Sequence, residues 1–128
     1  MIAALENYTG NYLIAGKFQA KGCFNLGNQT IAGGFGVTIS QSGSTMSMIW
    51  QFPAAGTRTY SGGYAQSGHM GTLGGNYICS SGEVGEMVFV ELTNHPGVMT
   101  GRLVGQSSTL GCNYTGYFAG IDPNKSPQ

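Results

Sequence analysis

The chain has 128 residues, enough for one domain with a real core and too few for two independent ones. Only 8% of them are charged, five basic against five acidic, so no basic patch is at hand for nucleic acid or an anionic membrane surface, and partners held by charge are excluded. The 23 glycines stand beside regularly placed Tyr, Phe, Met and Val rather than in low-complexity runs, which excludes disorder, and no apolar run approaches the roughly 20 residues of a transmembrane helix.

Taken in chain order, nine short segments repeat one alternating pattern around a central inward residue, which is glycine in seven of them and Met48 and Val88 in the other two. The first, Tyr8-Thr9-Gly10-Asn11-Tyr12, sets Gly10 between two inward tyrosines. The second alternates Phe18, Ala20, Gly22, Phe24 and Leu26 with Lys17, Gln19, Lys21, Cys23 and Asn25, a one-sided strand. Ile31, Gly33, Phe35, Val37 and Ile39 form the third inward set, and Met46, Met48, Trp50 and Phe52 the fourth. The fifth carries Arg58, Tyr60, Gly62 and Tyr64, and the sixth Gly75, Tyr77 and Cys79. In the seventh, centred on Val88, the parity places Glu86 inward and Met87 and Phe89 outward. The eighth, centred on Gly101, leaves Val98 and Val104 outward, and the ninth places Cys112, Tyr114, Gly116 and Phe118 inward.

Successive centres are 11 to 15 residues apart, the spacing of an antiparallel up-and-down meander with short turns. Ser42-Gly43-Ser44, Pro53-Ala54-Ala55-Gly56, Ser80-Ser81-Gly82 and Asn94-His95-Pro96-Gly97 supply the turn chemistry. The fold class is therefore all-β, with about eight or nine strands expected to close into a single barrel over residues 1–128; an open β-sandwich is the alternative. Glycine inside a strand needs a reason, and here it is a strongly coiled sheet with neighbouring rings folded over bare backbone. The ends, 1–6 and 122–128, lack alternation and are expected to be flexible.

The segment Trp50 to Tyr64, WQFPAAGTRTYSGGY, resembles the region of avidin and streptavidin in which a tryptophan strand is followed, after a loop, by a Thr-aromatic-Ser/Thr-Gly strand. The resemblance implies a closed barrel of the avidin or calycin type. Avidin-type biotin sites use several tryptophans, whereas Trp50 is the sole tryptophan of this chain.

A ligand inside such a barrel would meet Tyr12, Trp50, Tyr60, Tyr64, Tyr77 and Tyr114, rings able to hold a small apolar or aromatic molecule with hydroxyls to orient it. Arg58 and Glu86 share the inward parity and the same end, which predicts an ion pair at the mouth. Cys79 and Cys112, both inward and near one rim, are the expected disulfide, with Cys23 left over. Met87, Phe89, Val98 and Val104 make an outward apolar patch that a homo-oligomer would cover. His69 and His95 sit in turns with no nucleophile or carboxylate at a motif spacing, so no catalytic residue is assigned. Two distant histidines and three scattered cysteines give no metal-ligand spacing, and no cofactor is expected.

The leading functional expectation is a non-enzymatic binding protein for a small apolar or aromatic ligand. A structural or protein-interaction module of the secreted inhibitor or adhesion type, forming a homo-oligomer, is the alternative, and a barrel-type cyclase or isomerase is the third. The start, Met1 to Glu6, lacks the segments of a signal peptide. A surface of Ser, Thr, Asn and Gly nevertheless suits a secreted or periplasmic protein whose signal has been removed, with the cytoplasm as the other reading.

Overall fold

The computed structural model describes residues 6–24, 27–52, 56–95 and 97–124. Eight antiparallel strands follow one another in chain order and close on themselves: β1 (Gly10–Lys21), β2 (Gln29–Ser42), β3 (Thr45–Phe52), β4 (Gly56–Ser67), β5 (Met70–Cys79), β6 (Val84–His95), β7 (Val98–Ser107) and β8 (Asn113–Ile121). β8 pairs back onto β1, from Leu13 opposite Ile121 to Lys21 opposite Asn113, which leaves no end strands and settles the architecture as a barrel rather than a sandwich.

The nine segments become eight strands because the first two are one. β1 runs unbroken from Gly10, and the chain turns at Gly22. Phe24, expected inward on a longer second strand, therefore lies past the strand end and is exposed. The other rings expected inward are buried or half-buried.

Mid-strand glycine works as the pattern implied. Gly62 and Gly75 face each other across β4 and β5, and a Cβ on either would fall on the facing strand's backbone, on the Gly74 and Ser61 carbonyl oxygens. Elsewhere rings cover the missing side chains: Phe18 lies against Gly116, Phe118 against Gly101, and Tyr77 against Gly85. Trp50 is the hub, 1% exposed, with Phe118, Phe18, Tyr60 and Phe89 at centroid distances of 5.3, 5.7, 5.9 and 6.0 Å.

β6 corrects the expected parity. Met87 and Phe89 are inward, 2% and 0% exposed, while Glu86 and Val88 face outward. Both faces of Val84-Gly85-Glu86-Met87-Val88-Phe89 are largely apolar, so alternation does not choose between them. The even spacing of centres then misleads, because β6 carries a bulge between Val90 and Thr93, with Glu91 at φ 55°. An extra residue there shifts the register of everything counted through it. Met87 and Phe89 consequently belong to the core and not to an outer patch; of the four patch residues, Val104 is exposed and Val98 half-buried.

The disulfide is also corrected. Cys23 is bonded to Cys112, and Cys79 is a buried free thiol. Cys79 ends β5 while Cys112 precedes β8, three strands further round. Barrel closure puts Cys23 beside Cys112 instead, just beyond the Lys21–Asn113 pair on the seam between β1 and β8.

Of the ends expected to be flexible, residues 1–5 and 125–128 lie outside the described residues. Glu6 and Asp122 are described, and both are held by hydrogen bonds: Glu6 N–H to Gln66 Oε1 at 2.8 Å, and Asp122 N–H to the Gly97 carbonyl at 2.9 Å.

Candidate functional site: the hollow end of the barrel

The alternating strand directions gather two sets of loops. At one end are the β2–β3, β4–β5 and β6–β7 turns and the chain start. At the other are the β1–β2, β3–β4, β5–β6 and β7–β8 connections. The first end is solid. Residues 6–9 cross it, with Tyr8 fully buried against Tyr64 and Gln41 and Gln66 acting as latches. Tyr8 N–H donates to Gln41 Oε1 and Gln41 Nε2 to the Glu6 carbonyl, both at 2.8 Å, while Tyr64 hydroxyl donates to Gln66 Oε1 at 2.7 Å.

The second end holds a cavity of about 590 Å³. Trp50, Tyr60, Met87 and Leu103 line its deep part, and Phe18, Phe35 and Phe52 its sides. β2 adds Gln29, Ile31 and Gly33 along a stretch that pairs with β1 but, among the described residues, has no ladder partner on β3 before Gly36 opposite Gln51. The volume lies within the roughly 300–1,000 Å³ usual for small-molecule sites.

One charged cluster interrupts the otherwise neutral lining. Arg58 on β4 points inward between Phe52, Tyr77 and Tyr114, its guanidinium carbon 5.6, 4.9 and 5.1 Å from their ring centroids. Its Nη2 meets Glu83 Oε1 at 3.2 Å, and its Nε donates to Cys79 Sγ at 3.1 Å. Glu83 is 8% exposed. It is aimed inward by the tight β5–β6 turn, where Gly82, at φ 97°, adopts a conformation that favours glycine and its N–H closes on the Cys79 carbonyl. The hydroxyls of Tyr77 and Tyr114 both donate to Glu83 Oε2 at 2.6 Å.

Burial alone would raise the pKa of Glu83, but the hydrogen bonds from Tyr114 and Tyr77 and the Arg58 charge outweigh it and hold the carboxyl below its usual range. Burial and the same carboxylate push Tyr77 and Tyr114 upward, Arg58 only partly opposing this at Tyr114. Burial also raises Cys79 against the pull of Arg58, so its sulfur stays a thiol at neutral pH. The cluster is thus a fixed, neutralised ion pair whose phenols keep their protons.

The structure accordingly distributes the expected site residues. Trp50, Arg58, Tyr60 and Tyr114 line the cavity, and Tyr77 stands behind it on Glu83. Tyr12 and Tyr64 belong to the solid half, where burial, with Asp122 adding, pushes Tyr12 up to about 12. Glu86 is outside the barrel, and the carboxylate that meets Arg58 is Glu83. Glu83 was reachable from sequence only by inverting the parity of β6. Gln41 and Gln66, the latches, carry no motif at all.

Among the described residues no three His, Cys, Asp or Glu side chains gather as metal ligands, and no helix is long and apolar enough to cross a membrane. Comparisons with protein-family models, with curated proteins and with solved structures found no match. What the chain has in common with calycin and avidin barrels is architecture: eight antiparallel strands, meander order and closure.

Proposed function

We propose that the protein is a non-enzymatic binding module that holds a small apolar or aromatic molecule at the hollow end of the barrel. The observation that carries this reading is the asymmetry of the interior: side chains fill one half, while the other keeps about 590 Å³ lined by rings around a single neutralised ion pair. The Cys23–Cys112 disulfide supports an oxidising compartment, secreted or periplasmic. The neutral naphthalene dye prodan tests the reading. Its emission should shift to the blue saturably, with a dissociation constant on the order of micromolar, and Ala20→Trp, which fills the cavity at β1, should abolish the shift. Absence of a saturable shift, or one unchanged in Ala20→Trp, contradicts the reading.

A second reading, an interaction module that self-associates, is favoured by one feature of the outer wall. Val88 and Val104, 36% and 44% exposed, face each other across β6 and β7, and Tyr117 lies diagonally from Val104 on β8. Analytical ultracentrifugation separates the two: a dimer dissolved by Val104→Lys supports it, and a strict monomer at high concentration removes it.

A further inference from the structure

Around Arg58 the cavity's hydrogen-bonding capacity is one-sided, the neutral acceptors Gln19, Gln29, Thr57 and Ser81 being placed elsewhere in the lining. Glu83 is the only carboxylate among the described lining residues, and its oxygens already receive Arg58 Nη2 and the hydroxyls of Tyr77 and Tyr114. A ligand donor finds no vacant anionic acceptor there. Donors are in surplus. The guanidinium carries five N–H groups; Glu83 takes one and the weak acceptor Cys79 Sγ another, with the Tyr60 hydroxyl beside it. Trp50 Nε1, buried in the cavity wall, has no hydrogen-bond partner among the described residues.

Charge narrows the choice again. Arg58 and Glu83 are the only charged residues among the described residues lining the cavity, and their charges cancel. An anionic ligand would leave one uncompensated negative charge in an apolar cup beside Glu83, which desolvation and repulsion oppose. A neutral oxygen acceptor takes a guanidinium N–H without that cost. The walls around Arg58 are the faces of Phe52, Tyr77 and Tyr114, with Phe35 and Trp50 next to Phe52, surfaces that match a flat ring system.

We infer that the ligand is a neutral, planar aromatic carbonyl compound of the aryl ketone, amide or lactone class, its rings in the Phe35–Trp50–Phe52 cup and its carbonyl oxygen on the Arg58 guanidinium. This rests on the binding-module reading and specifies its ligand.

The test compares three probes of one ring system by calorimetric titration at pH 7.5: 2-naphthamide, ionised 2-naphthoate and naphthalene. 2-Naphthamide should bind roughly tenfold more tightly than either of the others, the equivalent of one net hydrogen bond to a charged donor. Arg58→Met combined with Glu83→Gln, which leaves no unpaired charge, should erase the preference, so that 2-naphthamide and naphthalene bind this variant equally. A preference for 2-naphthoate overturns the inference in favour of an anion site. Equal binding of naphthalene and 2-naphthamide, or a preference that survives the double substitution, overturns it while sparing the binding reading. If none of the three binds but the carbonyl-free dye N-phenyl-1-naphthylamine does, the inference alone fails; if that dye and the aryl ketone prodan both fail, the binding reading falls with it.

Discussion

The two ends of the barrel solve the same problem differently. At the solid end the chain start lies across the opening, Tyr8 completes the core, and two glutamines hold residues 6–9 through backbone hydrogen bonds. At the hollow end no side chain among the described residues fills the centre, and the rim is tied covalently, Cys23 to Cys112, with Phe24 N–H donating to the Leu110 carbonyl beside it. A cavity forfeits burial and dispersion that a filled core would supply. The comparison teaches where stability and function separate: packing holds one end, and a cross-link lets the other stay empty.

The largest test of that division removes the plug. Tyr8→Ala should cost about 4 kcal/mol in urea unfolding, as expected for a fully buried aromatic, whereas Phe52→Ala, half-buried at the cavity wall, should cost about 1 kcal/mol because much of the contact it would lose is already missing. Equal costs would erase the distinction between the ends.

Next comes the cross-link. Cys23 and Cys112 are 89 residues apart in sequence, and replacing both by serine should lower stability by about 3 kcal/mol through the freed unfolded chain. The same change should raise hydrogen exchange at the β1–β8 seam near Lys21 and Asn113 more than near Leu13 and Ile121. Uniform loosening along the seam would show that the disulfide is not specific to the hollow end.

The Arg58–Glu83 cluster gives a smaller, pH-dependent effect. Because the folded-state pKa of Glu83 is depressed, its contribution is complete above the ordinary carboxylate value near pH 4.3 and is lost as pH falls through the lower folded value. Glu83→Gln should cost about 2 kcal/mol at pH 7 and flatten that acid limb. The tyrosines act in the opposite direction. Burial raises Tyr8, Tyr60 and Tyr77, so stability is complete below about pH 10 and lost as pH rises through their elevated values. An acid limb unchanged by Glu83→Gln would place the responsible carboxylate elsewhere.

The smallest effect belongs to His69, which meets Glu6 Oε1 at 3.1 Å from an 84% exposed side chain. His69→Ala should change stability by less than about 0.5 kcal/mol; a larger loss would mean that this contact, rather than Tyr8 and the glutamines, holds the plug.

Much of this was legible in the sequence. The spacing of centres and the turn residues give the meander, and the parity of β4 places Arg58, Tyr60 and Tyr64 inside as observed. The illegible parts share a cause, since each depends on a partner distant along the chain. The parity of β6 is fixed by its neighbours and by a bulge, because its own two faces are too alike. The disulfide follows from β8 meeting β1, a fact of closure invisible to local spacing. Gln41 and Gln66 become latches only once residues 6–9 cross the end, and a glutamine on a strand carries no local sign of that. That one half of the barrel is hollow depends on summed side-chain volumes, which alternation does not report.

The central claim, that the hollow end binds and the solid end does not, is tested most directly by the proton–nitrogen NMR spectrum during a prodan titration. Trp50 supplies the chain's only indole N–H. This signal and the amides of Phe35, Cys79 and Leu103 should move saturably, while those of Tyr8, Gln41 and Gln66 stay in place. Movement confined to the second group, or uniform over the outer wall, would contradict it.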